Sequence, residues 1–448
     1  MKKMLVMEFN ELCPSLVERF IAEGLLPNFA SLKANSIVLE TETDARGEDL
    51  NPWIQWVDVH TGLDWNEHGI KKLNKLQGLN GKFIWDSLSK QYGVTNWICG
   101  SMNSSYSDEF NGRFLPDPWC TDIKPSHDAD LLDYYKFVSQ SVQNHSVNGN
   151  VSKGVFIKSV LSQGITFSTL ARLGWQLITE VVFKEREWKR ALLLDRIQFD
   201  IFSYYYRNDN PHFATFFSNS VAHFQHHYWN DFEPDKFSDS LKNINKSTQS
   251  AIKIAYQEAD ILVGKLRKLI GDDSAVIFAT ALSQEPYTKN ERHYYHIINQ
   301  DVFYKFLGIL DRNKYKPVMA EQFYLEMQNE TAAIDAEKKL SSFVMDSNKY
   351  FHEGSNGLFL INREKNILFI QCRCTKEVDN NASFYDESSP TEKLLFKDVF
   401  YRMDEMKTGT HNPVGLYWFN SPNSLPIIKS ERVKPSQIHS DILNYFAS

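Results

Sequence analysis

The stretch NPWIQWVDVHTGLDWNEHGI, residues 51–70, is the most informative part of this chain. Pro52 predicts the first turn of a short helix, because a proline at this position loses no helical hydrogen bond. Thr61 and Gly62 predict the break that ends this helix, and a loop then closes on the HGI sequence of residues 68–70. The stretch therefore predicts a helix followed by a polar loop, with the amide side chain of Asn51 at the start of the helix.

Two further stretches extend this pattern, EFNELCPSL at residues 8–16 and EGLLPNFASL at residues 23–32. Together with residues 51–70 they resemble the alkaline phosphatase superfamily, especially its phosphodiesterase and nucleotide pyrophosphatase branch. The resemblance implies a first strand that ends in a metal-binding Asp, and a Thr or Ser nucleophile that opens the next helix. Here the Asp position is Asn10, and the nucleophile position falls on Asn51 or Pro52. The segment looks like a reactive site whose nucleophile has been removed.

The resemblance extends to three segments further along the chain. Family members carry an Asp followed four residues later by a His, and the matching positions here are Ala222 and His226. A later Asp-His-Gly is replaced by Ser-Gln-Glu at residues 283–285, which places Gln284 there. A family turn that contains a His matches Gly409-Thr410-His411 well. By position, His226 and His411 are therefore the two metal ligands that this chain retains.

A site with two divalent ions is not expected, because three Asp positions and the hydroxyl nucleophile are absent. One ion, zinc or manganese, would need a third ligand beside His226 and His411, and either His223 or Glu8 is a candidate. His223 and His226 are three residues apart, so a helical turn would place them on one face. Glu8 points to the opposite face of an ideal strand from its neighbour, so it reaches this cleft only if the strand end twists. The alternative is a site without metal, in which these histidines form hydrogen bonds in a polar cleft.

The candidate residues fall into three roles. The metal ligands are His226 and His411. The catalytic candidates are His226, His223, Asn51 and Glu8, since a histidine near its ordinary pKa suits a general base. The substrate-binding candidates are Asn10, Gln55, Gln225 and Gln284. We predict that Asn10, Asn51, His226, Gln284 and His411 line one cleft, with the rings of the two ligand histidines within roughly 10 Å of each other.

Length, composition and charge limit the kinds of protein that this sequence can encode. The chain has 448 residues, 42% of them hydrophobic, which is enough for a large core. A net charge of −7 gives no electrostatic footprint for nucleic acid. The apolar segment at residues 4–9 is too short for a signal sequence or a membrane span, so we expect a cytoplasmic protein. Five scattered cysteines are expected to be reduced structural thiols.

Strands and helices alternate in the first 125 residues, with strands at 5–9, 36–40 and 94–99 and helices at 14–23 and 83–92. This rhythm predicts an α/β fold with a mostly parallel central sheet and helices on both faces. Ligands of such sheets bind beyond the carboxyl ends of the strands. Residues 1–127 and 208–448 are predicted to form the core, and residues 128–207 a helical insertion. The insertion is expected to cap the sheet, but its apolar part, residues 154–183, would also suit a membrane surface.

These observations favour an enzyme. The best reading is a hydrolase or transferase that acts on a phosphate- or sulfate-bearing ester, and the resemblance suggests a carbohydrate or nucleotide-sugar substrate. One alternative is a metal-free transferase that modifies a glycan with a histidine base. The other is a non-catalytic protein that binds a glycan or an anion on the same scaffold, since a fold alone does not fix a reaction.

Overall fold

The structure, a computed structural model, describes residues 2–76, 78–120, 122–126, 129–143, 164–183, 188–238, 245–288, 293–308, 314–318, 322–351, 357–402, 407–422 and 425–448. The chain forms two compact units. The first comprises Met1–Ser139, Val151–Thr288 and Lys407–Ser448, and the second comprises Gln140–Asn150 and Lys289–Met406. All the predicted site residues belong to the first unit.

The first unit is built on an eight-stranded sheet with the strand order β19-β2-β18-β6-β1-β5-β3-β4. Every neighbouring pair in it is parallel except those of β18, which runs antiparallel to β2 and β6. The predicted α/β class with a mostly parallel central sheet is confirmed. The strands of this sheet are β1 (Met4–Phe9), β2 (Ile37–Glu42), β3 (Asn96–Cys99), β4 (Gly112–Leu115), β5 (Phe213–Ser218), β6 (Ala275–Ala279), β18 (Val414–Asn420) and β19 (Ile427–Val433).

Helices cover both faces of this sheet, because the central strands are apolar on both sides. Every residue of β1 is buried. One face packs against helices that include Trp56 and Trp85; on the other face, Phe9 contacts Phe29 at a ring distance of 6.3 Å. The helices of the unit are α1 (Pro14–Ala22), α2 (Pro27–Ala34), α3 (Pro52–Thr61), α4 (Trp65–His68), α5 (Ile84–Tyr92), α6 (Ala129–Gln143), α7 (Phe167–Val182), α8 (Arg190–Asp209), α9 (Ser220–Phe232), α10 (Ala251–Ile270) and α14 (Gln437–Ala447).

A short ribbon of two antiparallel strands, β7 (Ser283–Pro286) and β17 (Gly409–Asn412), extends beyond the carboxyl end of β6. In this ribbon His411 lies opposite Gln284. The ribbon therefore brings two sequence-distant polar residues to the same edge of the sheet as the end of β1.

The second unit contains small antiparallel sheets and its own buried core. Its elements are β8 (Tyr295–Ile297), α11 (Gln300–Leu307), β9 (Lys314–Pro317), β10 (Gln322–Glu326), α12 (Glu330–Ser341), β11 (Phe343–Met345), β12 (Phe359–Glu364), β13 (Ile367–Cys372), β14 (Ser383–Asp386), β15 (Lys393–Leu395), α13 (Phe396–Val399) and β16 (Phe400–Arg402). The segment 208–448 of the predicted core is thus divided between the two units.

In the predicted insertion at 128–207, the structure describes the three helices α6, α7 and α8. The rest of it, including most of the apolar part from residue 154, lies outside the described residues. Among the described residues, no helix is both long and apolar enough to cross a membrane.

The structure supports a test of how much the aromatic core of the sheet contributes to stability. Phe278 is fully buried and lies within 5.0 Å of Trp418 and 5.2 Å of Phe29, measured between ring centres. We expect Phe278→Ala to lower the free energy of unfolding by about 3–5 kcal/mol, because it leaves a cavity. Ile428→Ala is the matched control, since Ile428 is 75% exposed and should change stability by less than about 0.5 kcal/mol. Denaturation with urea measures the free energy of unfolding of both variants. Equal losses of stability would contradict the assignment of Phe278 to the core.

Candidate active site

Three side chains from distant parts of the sequence converge at the carboxyl edge of the central sheet. They are Glu11, directly after β1, His226 on α9, and His411 on β17. Each offers one ligand atom, and these atoms all lie within 4.8 Å of one another. The ring centres of the two histidines are 5.3 Å apart, well within the 10 Å that a shared catalytic unit requires.

Glu11 is placed by an unusual backbone conformation. Its φ of 59° lies in the left-handed region, which costs a residue with a side chain roughly 1–2 kcal/mol. Hydrogen bonds to both its main chain and its carboxylate offset this cost. Gln225 Nε2 donates to the Glu11 carbonyl oxygen at 2.7 Å, and Asn10 Nδ2 donates to Glu11 Oε1 at 2.8 Å. Gln284 Nε2 donates to the other carboxylate oxygen, Oε2.

The carboxylate of Glu11 is buried but ionised. Burial alone would raise its pKa, yet the adjacent His411 and His226 outweigh burial and hold the pKa of this carboxyl well below its usual range. Burial also acts on His226, where it lowers the pKa to about 4 even though Glu11 acts in the opposite direction. At neutral pH the site therefore holds a carboxylate beside a neutral imidazole.

Both imidazoles are fixed in one tautomer by main-chain carbonyl groups. His226 Nδ1 lies 3.0 Å from the carbonyl oxygen of Gly409, and His411 Nδ1 lies 2.8 Å from that of Leu50. A carbonyl oxygen only accepts hydrogen bonds, so each Nδ1 must carry the proton. Wherever such a ring is neutral, its Nε2 atom is then an acceptor.

Three acceptor atoms consequently face one another. Nε2 of His226 lies 3.1 Å from Glu11 Oε2, and Nε2 of His411 lies 3.4 Å from the same oxygen. Such an arrangement is repulsive unless a proton or a metal ion lies between the atoms. In a tetrahedral zinc site with bonds of about 2.1 Å, neighbouring ligand atoms are about 3.4 Å apart. The two separations fit a single metal ion, and the carbonyl bonds to Nδ1 are the usual support of metal-binding histidines.

Asn10 and Gln284 lie beside this cluster. Asn10 Nδ2 also donates to Asn219 Oδ1 at 2.8 Å, while its Oδ1 accepts from Trp56 Nε1 at the same distance. Gln284 donates to the carbonyl oxygen of Ala222 at 3.1 Å, in addition to Glu11. Both amides thus hold the carboxylate in place, which makes them positioning residues.

Asn51 and Gln55 stabilise the start of α3. Gln55 Oε1 accepts from the Asn51 main-chain N–H at 2.9 Å, and Gln55 Nε2 donates to the Asp49 carbonyl at 3.2 Å. Asn51 itself donates to the Glu48 carbonyl at 2.6 Å. The neighbouring Leu50 carbonyl holds His411, so the helix start lies at the site. Both ends of the Gln55 amide are used within the chain, and that side chain is fully buried.

The other predicted residues do not belong to this group of three possible ligands, although Gln225 bonds to the main chain of Glu11. Gln225 is fully buried, and its Oε1 accepts from Tyr256 at 2.6 Å. Glu8 points away from the cluster and pairs with His60 at 2.9 Å and with Ser101 at 2.7 Å. Among the described residues, the group that can hold a metal contains neither Glu8 nor His223. The ring of His223 instead lies 4.6 Å from that of His227, between ring centres.

Glu11 is the third member of this group of possible metal ligands, and the sequence motifs do not point to it. Its signal was an acidic residue directly after a strand end, next to the Asn10 that occupies the expected metal position.

Comparison with known proteins gives similarity to solved structures only. No family model and no curated protein matches this chain. Phosphonoacetate hydrolase from Sinorhizobium meliloti 1021, in complex with phosphonoformate, is 11% identical with a TM-score of 0.42, over 99% of this chain and 96% of that one. Murine ectonucleotide pyrophosphatase/phosphodiesterase 5 is 10% identical with a TM-score of 0.40, over 100% and 95%. The human protein of that name is 9% identical with the same TM-score and coverage. At these values the similarity does not indicate a reaction.

Gly409 offers a test of how tightly the site is packed. A Cβ atom there would meet Gln284 Oε1 at 2.4 Å and the main-chain oxygen of Gln225 at 2.6 Å. We expect Gly409→Ala to lower the free energy of unfolding by about 1–3 kcal/mol, because the main chain cannot yield. The control is Gly174→Ala in α7, where nothing lies within 4 Å of the added carbon. Urea denaturation should show a lower free energy of unfolding for Gly409→Ala than for Gly174→Ala. An unchanged free energy of unfolding for Gly409→Ala would show that the packing around Gly409 is loose.

Proposed function

We propose that this protein binds one divalent metal ion, zinc or manganese, through Glu11, His226 and His411. We further propose that it is a hydrolase or transferase acting on a phosphate- or sulfate-bearing ester. The observation that carries this proposal is that one ligand atom from each of the three side chains lies within 4.8 Å of the other two. Two imidazoles and one carboxylate are also a donor set that suits a catalytic zinc with an open position.

The chain's own groups have defined tasks in such a site. The main-chain carbonyls of Gly409 and Leu50 hold the protons on Nδ1, which would leave the Nε2 lone pair of each ring free to bind the ion. The amides of Asn10 and Gln284 orient the Glu11 carboxylate. When bound, the ion would polarise an ester oxygen and lower the pKa of a bound water.

The start of α3 indicates how the reaction would differ from that of the superfamily it resembles. Asn51 stands where a Thr or Ser nucleophile is implied, and an amide does not form a covalent ester intermediate. Direct attack by water or by an acceptor hydroxyl is therefore the proposed route. The resemblance further suggests that the ester belongs to a carbohydrate or a nucleotide-sugar, and this substrate class is part of the proposal.

A second candidate function is supported by the same cluster. If His411 is protonated, its Nε2–H donates to Glu11, and the three side chains form a hydrogen-bonded unit that needs no metal. The protein would then be a metal-free transferase with a histidine base, or a non-catalytic protein that binds an anion or a glycan. Metal analysis distinguishes these alternatives from the metalloenzyme.

The metal site can be tested by calorimetric titration of the chelator-treated protein with Zn²⁺ and with Mn²⁺. We expect one ion per chain for one of these metals. Glu11→Gln, His226→Ala and His411→Ala should each weaken binding by at least about 100-fold, since loss of a supporting residue alone costs 10- to 100-fold. The control is His223→Ala, which removes a histidine one turn earlier on the same helix and should bind normally. Absence of stoichiometric binding by the unmodified protein would favour the metal-free candidate.

The missing nucleophile leads to a prediction about model substrates. We expect little or no hydrolysis of p-nitrophenyl phosphate, with or without added Zn²⁺, because the hydroxyl for a two-step reaction is absent. Asn51→Thr should not restore it, since Asn10 and Ala222 still replace the carboxylates of a second ion. Release of p-nitrophenol, followed by absorbance, measures both proteins. Robust metal-dependent turnover of p-nitrophenyl phosphate by the unmodified chain would contradict the conclusion that the nucleophile is missing.

A further inference from the structure

The helix α7 (Phe167–Val182) has its apolar face turned outward. Phe167 is 85% exposed, Trp175 68%, Leu177 61% and Ile178 62%. Leu170 and the following Phe183 are also exposed. A helix on the surface of a globular protein normally buries its apolar side. A continuous exposed apolar patch of this kind usually marks a surface that another partner covers.

Hydrogen bonds on the inward side fix the helix in this orientation. The buried residues of its described part are polar: Thr169, Gln176, Thr179 and Glu180. Gln176 Nε2 donates to Glu180 Oε1 at 2.8 Å, and Arg190 Nε lies 2.9 Å from Glu180 Oε2. At the other end, Asp200 accepts from the main-chain N–H and the hydroxyl of Thr166, each at 2.9 Å. Rotation of α7 to bury its apolar side would break these bonds.

Two exposed arginines adjoin the patch, with 55% of the Arg172 side chain and 58% of the Arg190 side chain exposed. Arg172 forms an ion pair with Glu258 at 3.9 Å. The only carboxylate of α7, Glu180, is buried and paired with Arg190. The patch thus combines apolar side chains with exposed cations.

We propose that α7 lies flat on an anionic lipid surface, with Trp175 and Ile178 inserted among the lipids. An amphipathic helix with aromatic and aliphatic residues on one side and flanking cations is the usual form of such an element. A protein interface would need about one hydrogen bond per 100–200 Å². Ser168 and Arg172 are the polar side chains among the exposed residues described for α7, which favours lipid over a second protein.

The position of α7 relates this surface to the candidate active site. Glu180 is tied to Arg190 at the start of α8, and Asp195, one turn further on, accepts from Ser218 and Ser220. These serines flank the end of β5, beside Asn10. The C-terminal end of α7 and the metal-binding cluster therefore lie at the same edge of the sheet. The proposal itself does not depend on the proposed function.

Co-sedimentation with vesicles tests the proposal. The full chain is mixed with vesicles of phosphatidylcholine alone, and with vesicles that contain 30% phosphatidylglycerol. We expect binding to the anionic vesicles, and weaker binding both to phosphatidylcholine alone and at high salt. The double variant Trp175→Asp/Ile178→Asp should lose at least about tenfold in partitioning. Ile428→Asp, at an exposed position of β19, is the matched control and should bind normally.

Arg172→Gln provides a second variant that leaves the apolar face intact. It should weaken binding to anionic vesicles about fivefold, while Lys429→Gln, an exposed lysine on β19, should have no effect. Thermal midpoints confirm that each variant is folded. The proposal is wrong if the unmodified chain does not bind, or if it binds equally well after the double substitution. A concentration-dependent dimer that the double substitution abolishes, without any vesicle binding, would assign the patch to a second copy instead.

Discussion

The geometry of the candidate site depends on one electrostatic constraint, the approach of the Glu11 carboxylate to two imidazole nitrogens that are themselves acceptors. Main-chain carbonyls at Gly409 and Leu50 fix the tautomers, so the rings cannot relieve the contact by moving a proton. The amides of Asn10 and Gln284 prevent the carboxylate from turning away. The surrounding structure thus maintains an arrangement that requires a positive charge at its centre.

The elements that build this site differ in how far their roles could be read from the sequence. The strand at Met4–Phe9 follows from an apolar run of sequence. The helix from Pro52 follows from a proline at a helix start. His226 and His411 were found from motif position. Glu11 was missed because its placement depends on a positive φ, which a sequence pattern of this kind does not reveal. Gln225 was assigned to substrate binding, yet both ends of its amide are used within the protein. Its Nε2 donates to the Glu11 carbonyl oxygen, and its Oε1 accepts from Tyr256.

Local contacts set the bounds of two elements. The helix α10 begins at Ala251. Before it, Asp231 accepts hydrogen bonds from the Asn245 N–H and the Thr248 hydroxyl, and residues 246–250 form turns. The strands β17 and β18 are separated at Pro413, which has no N–H to donate.

The antiparallel strand β18 has a consequence for the order of assembly. It lies between β2 and β6, so the central sheet is in two parts until residues 414–420 have left the ribosome. His411 arrives on the same stretch of chain. During synthesis, Glu11 and His226 are therefore made long before His411, which lies almost 200 residues after His226 in the sequence. A nascent chain would expose the edges of β2 and β6 throughout that interval, and unpaired strand edges promote aggregation until β18 pairs with both.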